Sequence, residues 1–308
     1  MNSPQKTIGF IGIGSMGKPM ALCLHNAGHK LVLMDANPSA ATDLATAISA
    51  TTASSGAELA RQSDIIITML PTSAIVEQVL TGESGVLSGI KKGGIILEMS
   101  SGMPSQTKKF AELASSVDAT LLDAPVSGGV SRANTGELAI MVGGPEQQLS
   151  EVQAVLACMG KSIVHTGDVG SAHAMKALNN LVSAGGFLIG IEALLIGQRF
   201  GLDPDTMVDV LNSSTGMNNS TQKKFKQFVL SRKFNSGFGL DLMVKDLTIA
   251  LGIAVDSNTP APFSSLCREL WASSASLLGK GQDHTAVAQL LEQLSQTELN
   301  SSTESPPN

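Results

Sequence analysis

Four groups of residues in this chain are suited to chemistry: the glycine triplet in Gly12-Ile13-Gly14-Ser15-Met16-Gly17, the carboxylate of Asp35, the run Ser127-Gly128-Gly129, and Lys176 with Asn180 one helical turn on. The glycines follow a β-rich run at 7–11 and lead straight into a helical pattern. In that setting the first glycine makes a tight turn, the second lets backbone approach a pyrophosphate, and the third packs helix against strand. The helix N-terminus then faces the phosphates. Asp35 closes the next strand, 18 residues after Gly17. A carboxylate there accepts hydrogen bonds from the adenosine ribose and repels a 2′-phosphate, and no Arg follows at 36–39 to hold one. The pattern predicts a nicotinamide dinucleotide, NAD ahead of NADP. The competing readings are ordinary turn glycines and, for Asp35, a cap before Pro38.

The loop Asp123-Ala124-Pro125-Val126-Ser127-Gly128-Gly129 follows a strand and offers a hydroxyl with exposed backbone N–H groups, a cradle for a carboxylate. Alone, it reads equally as a Gly-rich turn. Positions 176, 180, 183 and 187 share one helical face, so Lys176 and Asn180 adjoin Ser183 and Phe187 in an otherwise apolar helix. Such a lysine either snorkels at a helix end or is there for chemistry. Reduction of a small carbonyl compound leaves an alkoxide that needs a proton donor. A partly buried lysine meets that need, giving a proton in one direction and taking it back in the other.

These residues require elements to position them. Strands are expected at 7–11, 30–34, 65–70, 94–99, 120–123, 137–142 and 162–166, with helices at 17–27, 74–80, 105–115 and 146–159. The alternation predicts an α/β fold: a Rossmann, doubly wound, mostly parallel sheet covered on both faces. From 170 to 200 one long helix is expected, then helices at 204–211, 220–230, 240–255, 263–275 and 285–293, with no strand. Asp203 precedes Pro204 as an N-cap, and Pro260 and Pro262 fall between helices. The expected division is a dinucleotide-binding domain at 1–166, an all-helical domain at 167–295 for substrate and self-association, and a disordered tail at 296–308.

A net charge of −6, with no Lys or Arg run longer than two, argues against a nucleic-acid surface. Cys23, Cys158 and Cys267 are far apart and lack metal spacing, so no metal site is expected and the thiols read as free in a reducing compartment. No secretion signal is read at the N-terminus. The apolar stretch 181–197 is short and is interrupted by Glu192 and by Gly185, Gly186 and Gly190, so it reads as a buried helix rather than a membrane span. The expected compartment is the cytoplasm. The chain has no Tyr, which excludes Tyr-Lys reductase chemistry.

Taken in order, GFIGIGSMGKPM (9–20), DAPVSGG (123–129), GSAHAMKALNN (170–180) and KDL (245–247) resemble the motifs of the β-hydroxyacid dehydrogenase family. That group includes 3-hydroxyisobutyrate dehydrogenase and tartronate semialdehyde reductase, and the likeness spans the chain to about residue 294. It implies Lys176 as acid/base with Asn180 beside it, and Ser127, Gly128 and Gly129 on the substrate carboxylate. It further implies Leu70, Pro71 and Ser101 on the cofactor, and Lys245 reaching from the helical domain to help close the cofactor site. The implied reaction moves hydride between NAD(H) and a small 3-hydroxy acid or its semialdehyde, in a homodimer or homotetramer. Rival readings are an NADPH-dependent small-aldehyde reductase, an imine-reductase-like enzyme (against which Lys176 argues) and a non-catalytic dinucleotide sensor. Ala172 stands where many relatives carry glycine, and 218–239, with Phe225, Phe228, Phe234 and Phe238, is expected to line or back the pocket.

Overall fold

The computed structural model describes residues 5–300, which divide at Lys176/Ala177 into two compact units. The first is built on a parallel sheet. Its strands are short apolar runs: β1 (Thr7–Ile11), β2 (Lys30–Met34), β3 (Thr51–Thr52), β4 (Ile65–Thr68), β5 (Ile95–Glu98) and β6 (Thr120–Asp123). Three more, β7 (Val126–Ser127), β8 (Leu138–Gly143) and β9 (Gly160–Gly167), complete nine strands. The order is β3-β2-β1-β4-β5-β6-β8, with β7 and β9 both on β8. Strands β1 to β6 pair in parallel, whereas β8 runs antiparallel to β6 and β7. The chain order reverses at β1/β4, the switch point beyond which ligands bind in such sheets.

All four residues of β4 are buried, as a strand covered on both faces requires. Side-chain alternation splits them between two cores. Ile65 and Ile67, with Phe10, Leu33 and Leu97, pack under α1 (Gly17–Asn26), α2 (Pro38–Ile48) and α7 (Glu146–Ala157). Ile66, with Ile11, Val32 and Ile96, packs under α3 (Gly56–Gln62), α4 (Ser73–Thr81) and α5 (Pro104–Ser115). A short α6 (Gly129–Asn134) follows β7.

The second unit is helical: most of α8 (Ser171–Phe200), then α9 (Pro204–Asn212), α10 (Asn219–Lys223), α11 (Leu240–Asp256), α12 (Pro262–Leu278) and α13 (Ala288–Ser295). Helix α8 is long and apolar enough to cross a bilayer, yet more than half of its most apolar window is buried in protein. It is a core helix, as its interrupting glycines and Glu192 predict. Phe187 sits at the centre, edge-on to Phe225 at 5.3 Å and to Trp271 at 5.9 Å. Three of the four phenylalanines of 218–239 belong to this core: Phe225 is fully buried, Phe238 packs edge-on to His284, and Phe234 lies beneath Arg232.

Several elements differ from expectation. Helices α2 and α3 were not anticipated, although Asn37 caps Ser39 N–H ahead of Pro38 and Ser55 caps Glu58 N–H. The edge strand β3 is two exposed threonines, too short for any periodicity. The expected helix at 220–230 is instead α10 followed by a π-helical turn, Phe225–Leu230. The expected disorder at 296–308 fails at its start. Leu299 is fully buried, its N–H donates to Glu292 at 2.9 Å, and Arg232 pairs with the same Glu292. Residues 301–308 lie outside the described residues.

If Leu299 is a core residue, Leu299→Ala should lower unfolding stability by about 2–5 kcal/mol, the range for an excavated leucine. An unchanged denaturant midpoint would mean that the segment does not dock.

Candidate active site

Beyond Ile11 the chain must turn sharply from strand to helix. Gly12 does so at φ +100°, with its Cα so close to β4 that a Cβ would lie 2.2 Å from the Met69 carbonyl oxygen. At Gly17 a Cβ would stand 1.8 Å from the Gly12 oxygen, so the turn closes on itself without side chains. Gly14 differs: nothing lies within 4 Å of where its Cβ would be, and Gly14 and Ser15 are exposed. No side chain caps α1, in contrast with α2, α3 and α4, capped by Asn37, Ser55 and Thr72. An open backbone cradle before an uncapped helix fits a dinucleotide's phosphates.

Asp35 is half-buried at the end of β2. Its Oδ2 accepts from Ile13 N–H at 2.6 Å and its Oδ1 from Asn37 N–H at 2.8 Å. The carboxylate thus braces the glycine turn and α2 together, and the reading of it as a cap is part of the picture. Each oxygen still has acceptor capacity for a ribose hydroxyl. Leu70, half-buried, donates its N–H to Ser100 Oγ at 2.9 Å, which ties the end of β4 to that of β5. Pro71 is exposed beside it and Ser101 is half-buried, both at the same carboxyl edge as the glycine turn. Ser127 lies in β7, and Gly128 and Gly129 follow at φ +135° and +67°, exposed, where a Cβ would be strained.

Sequence reasoning missed the group that anchors Lys176. Glu98, Asp123 and His173 are all within 2 % of complete burial. Asp123 accepts from Gly170 N–H at 2.8 Å and His173 N–H at 2.9 Å, which fastens the first turn of α8 to β6. The His173 ring reaches Glu98 through Nε2 at 2.9 Å and Thr107 through Nδ1 at 2.7 Å. Burial alone would push the Glu98 carboxyl up; the His173 charge beside it and hydrogen bonds from His173 and Ser100 outweigh that and hold it low. Burial likewise opposes charge on His173, but Glu98 and then Asp123 outweigh it and raise the imidazole. The available signal was an acid closing each of two otherwise apolar strands, Ile95-Ile96-Leu97-Glu98 and Thr120-Leu121-Leu122-Asp123. Ala172, beside this cluster, is fully buried, so its methyl is spent on packing.

Lys176 and Asn180 are both buried on one face of α8. Asn180 Nδ2 donates to Asp246 Oδ2 at 2.6 Å, and Lys245 Nζ stands 3.5 Å from the other Asp246 oxygen. The KDL segment therefore holds Asn180 through Asp246, a role that the sequence did not reveal. Lys245 itself is half-buried.

Fold and site together define a Rossmann-type oxidoreductase with a helical second unit. A family model described as the NAD binding domain of 6-phosphogluconate dehydrogenase matches residues 7–167. Another, the NAD-binding domain of NADP-dependent 3-hydroxyisobutyrate dehydrogenase, matches residues 170–291. The chain is 39% identical over 291 residues to 2-(hydroxymethyl)glutarate dehydrogenase of Eubacterium barkeri, covering 93% of this chain and 95% of that one. It is 37% identical to the mitochondrial 3-hydroxyisobutyrate dehydrogenase of Mus musculus, covering 92% and 86%. The solved 3-hydroxyisobutyrate dehydrogenase of Mycobacterium tuberculosis, with L-serine, superimposes with a TM-score of 0.86 at 32% identity, over 93% of this chain and 99% of that one. The chain belongs to the 3-hydroxyisobutyrate dehydrogenase family of β-hydroxyacid dehydrogenases, NAD(P)-dependent enzymes acting on the CH–OH group of small hydroxy acids.

The Glu98–His173 pair makes stability depend on pH. Glu98 is held below its ordinary value of 4.5, so its contribution is present above that pH and lost as pH falls. His173 is raised above 6.5, so its contribution is present below that pH and lost as pH rises through the raised value. Both operate fully between pH 4.5 and 6.5. Glu98→Gln should cost about 3 kcal/mol in that window and flatten the urea-midpoint profile. A variant with the wild-type profile would show that the pair carries no charge.

Proposed function

We propose that this enzyme interconverts a short 3-hydroxy acid and its semialdehyde with NAD(H), using Lys176 as general acid/base. The observation that carries this reading is a lysine buried at the start of α8, one turn from an asparagine held by Asp246. The relatives 2-(hydroxymethyl)glutarate dehydrogenase and 3-hydroxyisobutyrate dehydrogenase are named for acids with a hydroxymethyl group next to a carboxylate, which supports that substrate class.

When bound, the nicotinamide supplies or accepts the hydride. Gly12, Ile13, Gly14, Ser15, Met16 and Gly17 would cradle the dinucleotide's phosphates, Asp35 would take the ribose, and Leu70, Pro71, Ser101 and Lys245 would contact the rest. Ser127, Gly128 and Gly129 receive the substrate carboxylate. Lys176 takes the hydroxyl proton in oxidation and returns it to the same oxygen in reduction, and Asn180, fixed in rotamer by Asp246, orients that oxygen. Residues 1–166 serve the cofactor and 167–295 serve substrate and self-association.

The α8 stripe Met175, Leu178, Val182, Ile189, Ile196 and Phe200 is apolar and exposed, which supports a homodimer or homotetramer. Three free thiols fit a reducing compartment, taken here as the cytoplasm.

With 3-hydroxyisobutyrate, glycerate, threonate, glyoxylate and succinic semialdehyde offered with each cofactor, the 3-hydroxy acids should turn over with NAD. Lys176→Ala should lower turnover by about 100-fold or more, with NADH binding by fluorescence intact. Undiminished turnover would remove Lys176 from the reaction. Asp35→Asn keeps one acceptor for the loop amides but loses the charge, and should shift the NAD/NADP preference by roughly tenfold towards NADP, about 1.4 kcal/mol. An unmoved preference would leave Asp35 only its bracing role.

A further inference from the structure

The second unit holds a lysine that the reaction above does not use. Lys224 occupies the junction between α10 and the π-helical turn, at φ −131°, outside both helices. π-Helical turns are rare and recur at functional sites. The ammonium lies 3.4 Å from Ser183 Oγ and 5.9 Å from the centroid of the Phe187 ring. No described carboxylate forms an ion pair with it.

The nearby charges are accounted for otherwise. Asp283 is taken up by Ser236, by the N–H groups of Gly237, Phe238 and Thr285, and by the Thr285 hydroxyl. His284, stacked on Trp271, is driven to about 4 by burial and by the Lys224 charge, Asp283 opposing, so it is neutral and its Nε2 has no hydrogen-bond partner. Burial also pulls Lys224 down, to about 8, with Asp283 offsetting only part of the effect. A half-buried ammonium without a counter-ion is a standing cost to the fold unless something else supplies the anion.

Its partners say where that anion would lie. Ser183 and Phe187 continue the face of α8 that carries Lys176 and Asn180. At 1.5 Å per residue, Ser183 is about 4.5 Å along the helix axis from Asn180. We propose that Lys224 and Ser183 form a subsite for a second carboxylate, carried on a side arm of the substrate remote from the hydroxyl that reacts. The proposal rests on the 3-hydroxy acid reading above and narrows it to diacids. The ammonium pairs with the distal carboxylate, and the Ser183 hydroxyl donates a hydrogen bond to it.

The test compares 3-hydroxyisobutyrate with 2-(hydroxymethyl)alkanedioates whose second carboxylate hangs on a one-, two- or three-carbon arm. Wild-type enzyme should prefer one of the diacids, and Lys224→Met should lower its kcat/KM by about 10- to 100-fold, mainly through KM, the scale of a charge-assisted hydrogen bond. The monoacid should change by less than twofold, and Lys224→Arg should keep most of the diacid activity. The ratio of diacid to monoacid kcat/KM should fall as pH rises through about 8 in wild type and stay level in K224M. Equal losses on both substrates, or none on either, would overturn the subsite. Should no acid be oxidised, the assignment of the reaction fails separately, and calorimetry with plain glutarate then decides the subsite: binding weakened tenfold or more in K224M upholds it, and unchanged or absent binding in wild type refutes it.

Discussion

Three buried ionisable side chains fix where the first turn of α8 sits. Glu98 ends β5, Asp123 ends β6, and His173 lies in the first turn of α8 between them. Charges out of water are costly unless paired and hydrogen-bonded. Here each has several partners, and the first N–H groups of α8 are among them. The helix that carries Lys176 is therefore bolted to the carboxyl ends of two parallel strands. A lysine three residues after such an anchor has little freedom to wander. Ser100, which donates to Glu98, takes a bond from Leu70 and lends its carbonyl to His173, extends the same network to the end of β4.

The glycine turn works by an opposite device, the removal of side chains. Gly12 and Gly17 lack Cβ atoms because backbone occupies their space, whereas Gly14 lacks one where the space is open. Only the second kind leaves room for a ligand. Asp35 then joins turn and second strand through a single carboxylate.

These differences explain what could be read from the sequence. The glycine turn and Asp35 were legible because their geometry is local, spanning one strand, one turn and one helix. So were the buried strands and α8, whose apolar patterns are long enough to count. Helices α2 and α3 carried legible caps in Asn37-Pro38 and in Ser55 with Glu58, but alanine fills much of the face that they bury, Ala41 and Ala45 in α2 and Ala57 and Ala60 in α3. Glu98, Asp123 and His173 are separated by 25 and 50 residues, and nothing in a one-dimensional pattern says that they meet. The same holds for Asn180 with Asp246 and for Leu299 with Glu292, contacts that only folding creates. The π-helical turn is invisible for another reason: its composition is that of any amphipathic helix, although its first residue, Phe225, packs edge-on to Phe187.

Helix α8 carries two rows of residues in different phase. Lys176, Asn180, Ser183 and Phe187 form one; Met175, Leu178, Val182, Ile189, Ile196 and Phe200 form the other, on nearly the opposite side at 3.6 residues per turn. Point changes in either row are local events. Loss or gain of one residue between Ala177 and Gly186 is not, because everything downstream would rotate by about 100° against everything upstream. Phe187 would leave the aromatic centre while Lys176 stayed clamped. A change of length between Ala177 and Gly186 would therefore break the phase between the anchored first turn and the aromatic centre whatever residue types it carried.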